Sequence, residues 1–158
     1  MKVDINGIQN KMARYCAWRD RCTSETTQKL FDMGITGKDA EKIVKWLKEE
    51  KYLDDERFAH TFARGKFHNN RWGKIRIAME LKIRKINEAT IEDALSEIAE
   101  NEYLATLQEL ARKKWNELKD DDTYIKSQKT AASLSRKGYE SELIWPVVEK
   151  IKSGNPAK

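Results

Sequence analysis

Residues 81–98 read LKIRKINEATIEDALSEI, and the apolar positions in that stretch decide the fold. Leu81 closes one amphipathic segment and Lys85-Ile86 makes a turn. Ile91, Ala94-Leu95 and Ile98 then follow at i, i+3, i+4 and i+7, the buried stripe of a further helix. The same frame lies 51 residues earlier as Leu30, Gly34-Ile35, Ala40, Ile43-Val44 and Leu47. It returns 53 residues later as Leu134, Gly138-Tyr139, Ile144, Val147-Val148 and Ile151. One match between amphipathic helices carries little weight, but two at nearly equal spacing define a repeat of about 50 residues.

Helix punctuation agrees with the frame. Gly34 and Gly138 suit the left-handed position that ends a helix, and Thr36 with Asp39, Asn87 and Ser141 offer caps for the helix that follows each turn. One more helix precedes each pair, at about Lys11–Arg21, Asp54–His68 and Glu102–Lys119. The expected fold is all-α, with three tandem three-helix repeats stacked into an elongated, curved body. Residues 1–53, 54–103 and 104–152 form the repeats, and 153–158, with Gly154 and Pro156, form a disordered tail. A three-helix unit of this size is marginally stable alone, so neighbours must share buried surface. Pro146 falls inside the last stripe, where it removes a backbone donor and crowds the preceding turn; it predicts a kink or a late start in that helix.

Composition favours the same picture. The chain of 158 residues is 39% hydrophobic and 36% charged, against roughly 45–50% and 25% in compact domains. Thin cores follow. Cys16 and Cys22 stand outside any CxxC or Cys/His spacing, which points to reduced thiols and the cytoplasm. The start MKVDINGIQNK has no apolar signal core, and nowhere do 18 apolar residues run together, so neither export nor a membrane span is expected. No P-loop, GxSxG or HExxH motif occurs, His60 and His68 lack a third ligand, and neither a metal nor a cofactor is expected. Binding, not catalysis, is the expected mode of action.

Charge is segregated along the middle repeat. From Arg57 to Lys85 there are nine basic residues and one acidic residue, Glu80; from Glu88 to Glu109 there are seven carboxylates and no Lys or Arg. The net charge of +5 favours an anionic partner, and the basic run places it in this repeat. Arg57, Arg64, Arg71, Lys74, Arg76, Arg84 and Lys85 are the candidate contacts to phosphate, with Trp72 as a stacking or packing surface. Glu80 is positioned to occupy Arg76 or Arg84, and Arg57 to pair with Asp54 or a neighbouring repeat. Asp54-Asp55-Glu56 could be taken for acid–base carboxylates, but their place in a first turn marks them as opposing the helix dipole, with Asp54 as the cap.

Leu53-Asp54-Asp55-Glu56-Arg57-Phe58-Ala59, followed by Gly73-x-x-Arg76-Ile77-x-x-Glu80-Leu81-x-x-Arg84-x-Ile86, resembles the RecX family of regulators of the RecA recombinase. Trp18-Arg19-Asp20-Arg21-Cys22-Thr23, with Lys29-Leu30 and Gly34-Ile35, is similar to that family's arginine-containing opening. Lys85 stands where the family usually has glycine, Thr26-Thr27 replaces an acidic–aliphatic pair, and Pro146 interrupts the last helix. The resemblance implies three tandem three-helix repeats and a non-enzymatic role. It further implies binding to RecA filaments on single-stranded DNA, with restraint of strand exchange, ATP hydrolysis and co-protease activity. Its implied partners are the RecA filament and single-stranded DNA, with double-stranded DNA as a further candidate, the DNA held weakly, by a chain expected to be monomeric. A stand-alone helical DNA-binding protein and a helical-repeat adaptor remain the alternatives.

Overall fold

The computed structural model describes residues 4–119 and 122–154. Among them the chain is all-helical: α1 (Ile5–Trp18), α2 (Thr23–Asp32), α3 (Gly37–Glu49), α4 (Asp55–Asn70), α5 (Lys74–Ile83), α6 (Glu88–Ser96), α7 (Glu100–Glu117), α8 (Thr123–Lys137) and α9 (Ser141–Lys152). Successive triads pack together, α1 and α2 against α3, α4 and α5 against α6, and α7 and α8 against α9. Leu30, Leu81 and Leu134, equivalent in the repeating frame, are all buried, as are Ile43, Ala94 and Val147. The chain exposes 10,080 Å², against roughly 8,200 Å² for a compact monomer of this mass. The body is correspondingly elongated.

The turn that separates the second and third helix of each triad uses one device three times. Gly34, Lys85 and Gly138 all take positive φ, at 80°, 61° and 101°. Glycine adopts this conformation freely, whereas Lys85 does so against its own Cβ. Helix starts are varied. Asp54 accepts from the Arg57 backbone N–H at 3.1 Å and Asn87 from that of Thr90 at 2.9 Å. Thr36 occupies the N-cap of α3 without a side-chain bond. The cap expected at Ser141 belongs instead to Glu140, and Ser141 is the first residue of α9. Glu140 stands in register with Asn87, and its carboxylate accepts from the Tyr103 hydroxyl rather than from its own helix. Pro146 neither delays nor splits α9: it sits on the exposed face of a helix that runs through it, with Ile144, Val147 and Val148 buried beneath. Ser153 and Gly154 close that helix, and the rest of the tail expected to be disordered, 155–158, lies outside the described residues.

Two apolar clusters form among the described residues. The first triad encloses Met12, Cys16, Leu30, Ile43, Leu47 and their neighbours; the second and third share a single cluster that also receives Cys22. Burial raises the thiol pKa of both Cys16 and Cys22. Between the first and second triads, the Asp55 carboxylate accepts from the Thr23 backbone N–H at 2.7 Å and from its hydroxyl at 3.0 Å. This carboxylate, read in sequence as serving its own helix, caps the start of α2 across 32 residues. Nearby, the Ser24 hydroxyl donates to the Arg84 carbonyl at 2.7 Å.

Between the second and third triads the backbone itself makes the joint. Gly73 N–H donates to the Lys137 carbonyl at 2.8 Å, Ile75 N–H to the Gly138 carbonyl at 2.9 Å, and Lys74 N–H to the Tyr103 hydroxyl at 2.9 Å. These are first-turn donors of α5, which has no side-chain cap of its own, so the third triad supplies the acceptors its start requires. A Cβ on Gly73 would fall inside the Gly138 carbonyl, and one on Gly138 inside the Arg76 backbone. Tyr139 completes the joint by donating to the Arg71 carbonyl at 3.0 Å. Burial drives the Tyr103 and Tyr139 phenol pKa values well above their ordinary range, and the Glu140 carboxylate adds to both shifts.

Candidate functional site

The turn from α4 to α5 builds a cationic aromatic surface. Arg71 enters the left-handed region at φ 58°, donating its N–H to the Phe67 carbonyl at 3.0 Å, and Trp72 N–H reaches back to the Lys66 carbonyl at 3.1 Å. The indole is thereby folded onto α4, where its ring meets Phe62 edge-on at 6.3 Å; Phe62 in turn stacks on Phe58 at 5.6 Å. Three cations lie over these rings. The Arg76 guanidinium sits 4.1 Å from the Trp72 centroid, Lys66 Nζ 5.0 Å from Trp72 and 5.4 Å from Phe62, and the Arg84 guanidinium 4.9 Å from Phe62. Ring quadrupoles hold a cation in place without cancelling its charge. Neither Lys66 nor Arg76 has a carboxylate partner among the described residues.

The eight contact candidates separate by environment. Arg57 is committed to the joint with the first triad, donating to Asp20 at 3.3 Å and to the carbonyls of Lys51 and Tyr52. Arg84 is held by Glu80 at 3.0 Å and approaches Glu25 at 3.9 Å. Arg71 reaches Glu109 at 3.1 Å. Lys74 lies over the Tyr103 ring at 4.7 Å and Arg76 over Trp72, while Arg64 and Lys85 stand exposed on α4 and after α5. Trp72 is only partly exposed, with Arg76 over its ring. Of the two histidines, His60 Nδ1 is 2.5 Å from a Glu97 carboxylate oxygen and His68 packs beside Phe67.

Two features of this face escape sequence reasoning. In the sequence Lys66 is one cation in a run, and nothing local places it over two rings; that follows from Trp72 turning back. Ile75, Met79 and Ile83 are exposed, although spaced by four like a core stripe. Ile77 and Leu81 fill the core side of α5, leaving the other three as an apolar stripe on the opposite side. Hydrophobic periodicity alone cannot rank two stripes on one helix. Beyond it, α6 and α7 present Glu92, Asp93, Glu100 and Glu102 to solvent. The molecule therefore offers free cations on aromatic rings, an exposed aliphatic strip and a separate acidic face. Such a set suits a macromolecular partner of mixed chemistry, phosphate and protein together. Among the described residues no helix is long and apolar enough to cross a membrane.

Comparison with known proteins agrees with the repeat. The model of the second three-helix domain of RecX matches residues 54–95, and that of the third three-helix domain matches residues 100–148. Regulatory protein RecX of Leuconostoc mesenteroides is 28% identical over 131 residues, covering 83% of this chain and 49% of its own. That of Clostridioides difficile is 27% identical over 146 residues, covering 90% and 67%. That of Clostridium botulinum is 36% identical over 124 residues, covering 75% and 57%. In these alignments the chain spans between half and two-thirds of the length of its curated relatives. Among solved structures, RecX from Lactobacillus salivarius superimposes with a TM-score of 0.85 at 23% identity, over 95% of this chain and 97% of that one.

Proposed function

This chain belongs to the RecX family, and from that premise we propose that it binds RecA nucleoprotein filaments and restrains their recombinase, ATPase and co-protease activities in DNA repair and the SOS response. It works in the cytoplasm, as a monomer, by occupancy, and catalyses no reaction. The observation that carries the reading is the face built by α4 and α5. Lys66 and Arg76 lie on Phe62 and Trp72 without carboxylate partners, beside the exposed strip of Ile75, Met79 and Ile83. Free cations meet phosphate, the aliphatic strip meets protein, and a nucleoprotein filament presents both together. Direct affinity for DNA is weak because three of the arginines expected at phosphate, Arg57, Arg71 and Arg84, hold carboxylates of this chain instead.

The test is DNA-dependent ATP hydrolysis by RecA. The expected result is suppression at concentrations well below those at which the protein coats DNA. Suppression that appears only as DNA becomes coated would mean competition for DNA by a stand-alone binding protein. Unchanged hydrolysis would mean an adaptor.

A further inference from the structure

Apart from the face just described, α1 carries a second cationic aromatic surface. Its sequence, INGIQNKMARYCAW, holds two cations and no acid. Lys11, Arg14 and Trp18 fall at i, i+3 and i+7, on one exposed stripe, and neither cation has a partner among the described residues. Trp18 is 80% exposed. An indole left in water at the end of a rigid helix contributes nothing to the core.

The residue beside it is stranger. Arg21 is only 8% exposed, yet no carboxylate pairs with it among the described residues. Its guanidinium carbon lies 3.9 Å from the Tyr15 ring centroid and 5.7 Å from that of Trp18, and its Nε donates to the Tyr15 carbonyl at 3.3 Å. The remaining guanidinium donors have no hydrogen-bond partner among the described residues. Thr130 Oγ1 is the one fully enclosed side-chain polar atom without a partner among the described residues, so those donors meet solvent. Nearby carboxylates are already engaged, Asp20 with Arg57 and Glu25 with Arg19 and Arg84. A cation lying against the Tyr15 ring and near that of Trp18, with its terminal donors unpaired among the described residues and the residue as a whole buried, is a preorganised site for an anion.

We propose that Trp18 and Arg21 form a binding site for one nucleotide of a single strand, with the unpaired base stacked on the Trp18 face turned away from Arg21 and the adjoining phosphate on the free donors of Arg21, while Lys11 and Arg14 follow the backbone along α1. The proposal rests on the reading that the partner is a nucleic-acid-containing assembly, and assigns to it the single-stranded form. A duplex hides its base faces, so it cannot use the indole. Trp18 therefore selects strandedness, and the cations supply affinity without selecting it.

Equilibrium binding of the full chain to oligo(dT) and to a hairpin duplex of equal phosphate count, without RecA, tests the site separately from filament regulation. Because Trp18 is exposed, Trp18→Ala should keep the helical signal and cooperative unfolding, with a melting temperature lowered by no more than the loss of its contact with Arg21 allows. It is expected to weaken oligo(dT) binding by about fivefold or more while changing duplex binding less than about twofold; Trp18→Phe should retain most of the affinity. Trp18→Ala should leave the slope of log affinity against log salt unaltered, while Lys11→Gln with Arg14→Gln should flatten it by about 0.7 for each phosphate no longer neutralised. The proposal is overturned if the wild-type chain shows no affinity for oligo(dT) at low salt, or if Trp18→Ala binds it normally. It is equally overturned if Trp18→Ala loses only RecA binding, which would make the indole a protein anchor. Selective loss of single-strand binding upholds it even if RecA hydrolysis proves unaffected by the protein.

Discussion

A pair of glycine substitutions within the second triad should move stability in opposite directions. Gly73 has φ −77° and ψ 167°, a conformation alanine adopts without strain, so nothing in its own backbone forbids a side chain. The obstacle is external: the added methyl would overlap the Gly138 carbonyl. Relieving that overlap separates α5 from the third triad and breaks the bonds from Gly73 N–H to Lys137 and from Ile75 N–H to Gly138. Each of the two donors left unpaired costs about 1–3 kcal/mol, so Gly73→Ala should lose about 2–6 kcal/mol. In a chain of this length that corresponds to a melting temperature lower by roughly 4–24 °C. Gly65 is the control. It lies inside α4, with nothing nearer to an added Cβ than Asn69 Nδ2 at 3.9 Å, so Gly65→Ala should stabilise by about 0.5–1 kcal/mol through helix propensity. Urea and thermal denaturation followed by far-ultraviolet circular dichroism measure both. A Gly73→Ala protein as stable as wild type, or stabilised like Gly65→Ala, would refute the backbone joint.

Other consequences are also measurable. Leu81→Ala and Leu30→Ala, each removing a side chain with no exposed surface, should cost about 2–5 kcal/mol by chemical denaturation. Asp54→Ala should cost about 0.5–2 kcal/mol as a lost cap, and Asp55→Ala more than Asp54→Ala, because it also strips two bonds from Thr23 in the first triad. Lys85→Gly should raise stability by up to about 1 kcal/mol, because glycine accepts φ 61° without the strain lysine bears. At alkaline pH the Tyr103 and Tyr139 phenols stay protonated in the folded chain while they ionise in the unfolded one. Stability is then fully present below about pH 10 and falls above it, by up to about 1.4 kcal/mol per pH unit for each tyrosine. Tyr139→Phe should reduce that slope in denaturation curves taken across pH 9–11.

The repeat frame is legible in the sequence because each triad solves the same local problem, a buried stripe after a left-handed turn, and Leu30, Leu81 and Leu134 align without knowledge of what they touch. Caps are legible where one residue serves its own helix, as at Asp54 and Asn87. They are not legible where acceptor and donor lie far apart in sequence. Asp55 capping α2 and the third triad's carbonyls capping α5 leave no local signature, and Glu140 turns to Tyr103 because that hydroxyl is brought within reach only by folding. The late start expected at Pro146 fails for a related reason: α9 already begins at Ser141, and the weight of a proline depends on the side of the helix it occupies. As for the candidate site, the density of cations between Arg57 and Lys85 is plain in the sequence. How they divide is not: Arg57, Arg71 and Arg84 find carboxylates 37, 38 and 4 residues away, whereas Lys66 and Arg76 find rings.

Charge reversal on the two faces, read by RecA hydrolysis, addresses the proposed filament-binding surface without intermediaries. Lys66→Glu with Arg76→Glu removes the free cations over Phe62 and Trp72; Glu92→Lys with Glu100→Lys reverses the acidic face of α6 and α7. With each variant first shown to keep its helical signal and cooperative unfolding, DNA-dependent ATP hydrolysis by RecA is titrated at several salt concentrations. The basic-face variant should lose most of its suppression, with the salt dependence of what remains flattened by roughly one log–log unit for each phosphate it no longer neutralises. The acidic-face variant should suppress as wild type does. Undiminished suppression by the basic-face variant, with unchanged salt dependence, would contradict the assignment of the α4–α5 face.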